Sequence, residues 1–248
     1  MPRFLDALFA SITRLLVARG ILIAETVERL KLHYVRAARD QAGSRPTDSR
    51  ISVMTGLQRR EITRLLAVAN AEAGTGARTV NHLSRLVALW QTDPVYAGNP
   101  LPRSGASASF EALAHAIRKD VHPRTMLEQL TLAGTVTQDD QGRVHLQQPS
   151  YQPLAGSEQQ LAYFADNAQD FLSAATGNIL SSPAPFFERA VHYNGLSPAA
   201  VAELDQIFRD GQMALLLRMS AVAAECATRS PGRQRFRAGG YFYTTEET

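Results

Sequence analysis

Within residues 58–64 the chain places Gln58, Arg59, Arg60, Thr63 and Arg64. These side-chain types can read duplex DNA. The arginine guanidinium is a planar fork of donors that fits a phosphate or the edge of a guanine, while Gln and Thr bond to base edges or backbone. Such chemistry needs the five side chains on one solvent-facing surface of a single helix, entering a major groove. Arg50, a little upstream, is suited to positioning on the backbone together with Gln58. A solvated helical hairpin inside an all-α core has the same pattern, so the elements around these residues must decide.

The surrounding stretch, DSRISVMTGLQRREITRLLAVAN over 48–70, reads as a helix-turn-helix. A short helix is expected from about Asp48 to Thr55, with Asp48 as its N-cap. Gly56 takes the turn, where a left-handed backbone is needed. A second helix is expected from about Arg59 to Ala69. Ile51, Leu57, Ile62 and Leu65 fall where two crossed helices need inward residues, and Ser52 is small enough to allow a close crossing. Gln58 stands where Ser or Thr would cap better.

Charge supports the same segment. Residues 1–70 hold 12 Lys+Arg against 6 Asp+Glu, residues 71–150 hold 7 against 7, and residues 151–248 hold 7 against 10. A formal net charge of +3 over 248 residues therefore hides a positive field concentrated on the first 70, the footprint of a nucleic-acid reader. Hydrophobic content of 45% with 20% charged residues describes a globular chain. Cys226 is the single cysteine, so no intrachain disulfide or cysteine-based metal site can form. No apolar run approaches the ~20 residues needed to span a bilayer. MPRFLDALFASITRLL is interrupted by Asp6 and Arg14 and reads as an amphipathic helix, not a secretion signal. The expected location is cytoplasmic, at the nucleoid when bound to DNA.

Along the rest of the chain, residues 4–18 place Leu5, Leu8, Phe9, Ile12, Leu15 and Leu16 on one helical face. A helix over about 24–39 follows, with Val27, Leu30, Tyr34 and Ala37 expected inward. Gly74 and Gly76 follow a helix and lack a Gly-Lys-Ser/Thr element, so they read as a loop and not a phosphate cradle. A helix over about 79–91 carries Val80, Leu83, Leu86, Val87 and Trp90. Ser109 caps a helix at 110–119, and Pro123 opens another at about 123–133. TVTQDDQGRVHLQ then alternates as strand, turn and strand. Helix, helix and hairpin is the winged-helix order. Its helical face (Arg124, Thr125, Glu128, Gln129) is poor in positive charge, so this unit reads as mainly structural, with Arg143 at the wing as its one phosphate contact. Ser157 and Gln160 form a capping box for a helix over about 158–175. PFFERAVHY (185–193) and GYFYTT (240–245) read as strands. A long helix from Ser197 and Pro198 to about Thr228 carries Val201, Leu204, Phe208, Leu215, Met219 and Val222. The basic loop with Arg229, Arg233, Arg235 and Arg237 is either solvated or a phosphate contact.

An active site is not legible. The six histidines are scattered, and none forms the paired spacing of a zinc hydrolase. No serine sits in a nucleophile elbow, and the adjacent Asp139 and Asp140 make a turn. Cys226 lies in an apolar helix stripe, where packing is its ordinary role. The expectation is a protein that is not an enzyme, with no cofactor and no metal.

Four stretches, SVMTGLQRREITRLL, LSRLVALWQTDPVY, ERAVHYNGLSPAAVAEL and GGYFYTTE, resemble a bacterial domain-of-unknown-function family that carries a predicted helix-turn-helix. The resemblance covers most of the chain but brings no settled activity with it. The arrangement is also similar to that of bacterial regulators, an analogy of architecture only.

The fold class expected is mainly α with small β elements: a helix-turn-helix/winged-helix region over 1–150, then an α+β domain over 151–248 for dimerisation or sensing. The function expected is a sequence-specific DNA-binding transcriptional regulator acting as a homodimer on double-stranded DNA, with self-association through the C-terminal domain and no membrane partner. A small-molecule effector is compatible with this plan, but no motif supports one. The competing reading is a protein-interaction or structural module that uses the helix-turn-helix as core and the long C-terminal helix as partner surface.

Overall fold

A computed structural model describes residues 3–44, 46–72, 82–98, 100–180 and 184–246. Among them the fold is mainly helical, with nine helices and one two-stranded sheet. The chain divides into two compact units, Met1–Thr79 and Val80–Thr248. The boundary expected near 150 falls inside the second, between its hairpin and the helix that follows. The Gly74 and Gly76 loop and Val80 lie outside the described residues.

The first unit holds α1 (Arg3–Ala18), α2 (Ile23–Gln41), α3 (Asp48–Thr55) and α4 (Arg59–Glu72). Its core is Leu32, Val35 and Ala38 of α2, Ile51 of α3, and Ile62, Leu65 and Ala69 of α4, with Leu57 and Leu66 packed against them. The inward residues expected of α3 and α4 are thus the ones buried. The face expected of α2 is not. Val27, Leu30 and Tyr34 are exposed, and the buried set lies along Leu32, Val35 and Ala38. Both sets repeat at helical spacing, so periodicity alone cannot rank them. α1 buries no residue: its apolar face is formed as expected but packs into no core.

Capping also differs in one place. Thr47, not Asp48, is the N-cap of α3, its side chain accepting from the Arg50 amide at 3.3 Å. Asp48 is the first helical residue, and its carboxylate accepts from the Thr63 hydroxyl at 2.9 Å. Gly56 ends α3 with φ 75°. A Cβ there would meet nothing within 4 Å, so glycine is required by the backbone and not by space. The turn is closed by the Gly56 amide donating to the Ser52 carbonyl (2.8 Å) and the Ser52 hydroxyl donating to the Leu57 carbonyl (2.7 Å). Ser52 therefore bonds across the turn, beyond merely being small.

The second unit opens with α5 (His82–Thr92), α6 (Phe110–Ile117), α7 (Pro123–Leu132), β1 (Val136–Gln138) and β2 (Val144–Leu146). The strands pair antiparallel with Val136 opposite Leu146 and Gln138 opposite Val144. Leu101, between α5 and α6, forms a further antiparallel bridge to Val144. Ser109 caps α6 through the Ala112 amide, and Pro123 opens α7, both as expected. Trp90, Phe110, Leu113, Met126, Leu130, Val136 and Val144 are buried together, and Trp90 meets Phe110 edge-on with ring centroids 6.0 Å apart.

α8 (Glu158–Ile179) and α9 (Pro198–Arg229) complete the unit. Ser157 caps α8 through the Gln160 amide at 3.1 Å. The α+β expectation for this region is not met: 185–193 and 240–245 carry no strand. Alternating aromatic and apolar residues fit a strand locally, but a strand exists only where a neighbour takes its backbone bonds. Instead these segments lie on helices. The Phe186 amide donates to Asn178 Oδ1 at 2.8 Å, and Phe242 meets Phe208 at 5.9 Å between centroids. No described helix is long and apolar enough to cross a membrane.

Candidate nucleic-acid interface

α3 and α4 are joined by three residues, Gly56 to Gln58, with α2 packed against both. Burial of Ile62, Leu65 and Ala69 turns the opposite side of α4 outward. Gln58, Arg59, Arg60, Thr63 and Arg64 are all exposed, as is Arg50 on α3. The face expected from spacing alone is therefore a solvent face.

Its side chains are not equally available. Arg50, Arg59 and Arg60 form no ion pair or side-chain hydrogen bond with the described residues. Gln58 uses its carbonyl to accept from the amides of Glu61 and Ile62 at 2.9 and 3.1 Å. Its side chain makes no cap, in line with its being a weaker capping residue than Ser or Thr. Thr63 is engaged inside the unit, donating to Asp48 at 2.9 Å and to the Arg59 carbonyl at 3.1 Å. Arg64 is held by Glu28 of α2 and lies 4.0 Å from Glu61.

Spacing within 48–70 could not show this second layer, because its partners come from α2. Lys31 donates to Glu61 at 2.7 Å and to Glu28 at 3.1 Å. The result is a chain of alternating charge, Arg64–Glu28–Lys31–Glu61. On the other flank Glu72 accepts from Arg29 at 2.6 Å and Arg36 at 3.0 Å. The Arg64 and Lys31 bonds hold the Glu28 carboxyl below its ordinary value, and Arg29 and Arg36 do the same for Glu72. Glu61 and Glu28 in turn raise the Lys31 ammonium. The Glu28/Lys31 and Glu61/Arg64 pairs, each with the acid three residues before the base, were the available signal in the sequence.

Arg143 belongs to the other compact unit, in the turn of the β1–β2 hairpin. Its guanidinium donates to Asp139 at 2.8 Å, and His145 also meets Asp139, at 3.0 Å. The His145 bond leads the causes that hold the Asp139 carboxyl far below the usual range. Arg143 is thus a turn-closing residue, not a free cation at a wing tip. The same applies to two of the loop arginines. Arg235 makes a two-bonded pair with Asp170 at 2.7 and 2.9 Å, and Arg237 reaches Asn167 and Asp170, both at 2.7 Å. α8 thereby holds the tail. On α7, Arg124 is paired with Glu128 at 2.8 Å, which keeps that face near neutral.

What remains is a helix N-terminus carrying two unpaired arginines, a third on the preceding helix, and a glutamine between them. Free guanidinium groups beside a helix N-terminus suit an anionic polymer. Among the described residues no group of three His, Cys, Asp or Glu side chains could hold a metal. No curated protein matches the chain, and no solved structure matches it. A family model does match, over residues 6–248: the chain belongs to the family described as a family of unknown function, DUF6502.

Proposed function

We propose that this protein is a sequence-specific DNA-binding transcriptional regulator, acting as a homodimer, with α2–α4 as its helix-turn-helix unit and α4 as the recognition helix. The observation that carries the reading is the outward face of α4. Arg59 and Arg60 stand there without partners among the described residues, while the apolar residues of α3 and α4 expected to face inward are covered. Arg50 and Gln58 flank them for backbone contacts. Thr63 and Arg64 join the interface only by exchanging their bonds to Asp48 and Glu28 for bonds to DNA. The 12-to-6 excess of basic over acidic residues in 1–70 supplies the steering field. In the second unit, the order α5, Leu101 bridge, α6, α7 and hairpin supports a winged-helix reading. Its paired Arg124 and Arg143 favour a structural role there.

The test is fluorescence anisotropy on a duplex enriched from a random pool by the purified protein. Arg60→Ala should lose about 1–3 kcal/mol of discrimination, the worth of a bidentate arginine–guanine contact, with thermal unfolding unchanged. Arg59→Ala and Arg60→Ala proteins that bind like the parent would remove the assigned face.

A further inference from the structure

α9 is a 32-residue helix that buries none of its residues, and neither does the 22-residue α8. At 1.5 Å per residue α9 is about 48 Å long, and its apolar side chains are not confined to one side. Leu217 and Ala221 line the groove that also holds Trp90 and Leu146 of the unit's core. Across the helix from them run Val201, Phe208, Leu215 and Val222, a strict seven-residue repeat, with Leu204 alongside. This is one of the two positions of a helix–helix seam; the other falls at Leu204 and Gly211 in the first half of the helix and at Arg218 and Glu225 in the second. Among the described residues Phe208 of that seam meets Phe242 of the tail, and the tail's Gly240 lies against Phe208 and Gln212. Leu204, Leu215 and Val222 are 42%, 51% and 51% exposed.

Gly211 sits on the same line. Glycine inside a helix is unfavourable by about 1 kcal/mol relative to alanine. A Cβ at Gly211 would meet nothing within 4 Å, so nothing inside this chain requires the glycine. A second helix crossing closely at that point would.

The exposed area agrees. The chain presents 18435 Å² to solvent. A compact monomer of its mass would present about 11,000 Å², and two separate bodies of the sizes of its two units about 13,000 Å². Several thousand Å² remain unaccounted for even with the units wholly apart. An obligate homodimer interface of roughly 2,000–5,000 Å² summed over both partners takes about 1,000–2,500 Å² from each, which fits within that excess.

We infer that α9 pairs with α9 of a second copy of this chain, along Val201, Leu204, Gly211, Leu215 and Val222. A second copy fits the charges better than an anionic partner. α9 carries Glu203, Asp205, Asp210 and Glu225 against Arg209, Arg218 and Arg229, so two copies meet with both signs present. Nucleic acid or a lipid surface would meet a region with 7 basic and 10 acidic residues. The inference specifies the surface behind the homodimer of the regulator reading, yet it rests on area and seam alone and holds whether or not DNA is bound.

Sedimentation equilibrium of the full chain, without DNA, tests it. The expected mass is twice 27.1 kDa across a wide dilution series, and a monomer throughout would overturn the proposal. Leu215→Glu should shift the mass to that of a monomer. Gly211→Leu is the sharper variant, because it raises helix propensity at a position open in the single chain. It should weaken the dimer at least tenfold while circular dichroism shows helix retained. A dimer indifferent to both changes would place the interface elsewhere and overturn the assignment, as would a monomer that associates only with a different protein.

Discussion

Arg60 and Arg64 have the same side chain, four positions apart on one exposed helix, yet they are in different states. Arg60 is unpaired, whereas Arg64 is held by Glu28 from α2. A guanidinium already bonded to a carboxylate must break that pair before it meets a phosphate. Glu28→Gln should therefore free Arg64 and tighten DNA binding a few-fold, measured by anisotropy at fixed salt. An unchanged or weaker affinity would show that Arg64 takes no part. At Gly56 the constraint is backbone geometry. Its φ of 75° is reached by L-residues at roughly 1–2 kcal/mol. Gly56→Ala should lower stability by about 1 kcal/mol in urea melts, and Gly56→Asn by less. Equal stability of all three proteins would mean that the turn relaxes.

At the scale of elements, α2 grips α4 by an apolar contact and two flanking charge clusters, and the clusters carry a pH signature. Glu28 and Glu72 titrate below their ordinary value of 4.5 in the folded chain. Their contribution is whole above pH 4.5 and is lost as pH falls through the lowered values. Lys31 titrates above its ordinary 10.5, so its contribution is whole below that and is lost as pH rises past the raised value. These are solvent-exposed pairs screened by water and salt, so the effect is modest. Thermal unfolding should show a drop below pH 4.5 that shrinks in Glu28→Gln/Glu72→Gln protein, and an identical pH profile in that variant would contradict the assignment. The same elements show what a sequence can reveal. Ile51, Gly56, Ile62 and Leu65 were legible because helix, turn and helix are local patterns. The buried side of α2 was not, because Val27–Leu30–Tyr34 and Leu32–Val35–Ala38 both obey the helical period and only the tertiary partner chooses. The exposed arginines were legible as a face, but their pairing was not, because Glu28, Asp139 and Asp170 act from other elements or across a turn. The two C-terminal strands failed for a related reason: 185–193 and 240–245 have strand composition but find no strand to pair with.

For the whole molecule, the regulator reading asks for a basic DNA-reading unit and a means of presenting it twice. In that reading the charge gradient along the chain, from an excess of basic residues in 1–70 to an excess of acidic ones in 151–248, favours anion contact by the first part and association by the last. Membership of DUF6502 over residues 6–248 means that both parts are matched together by one family model. The most direct test of the central claim is anisotropy of the enriched duplex against a scrambled one over a salt series. The account predicts sequence-dependent binding that weakens steeply with salt, in proportion to the phosphates neutralised, and that is reduced by Arg60→Ala. An absence of enrichment, with no binding to either duplex at low salt, would contradict it and leave α2–α4 as the core of an interaction module.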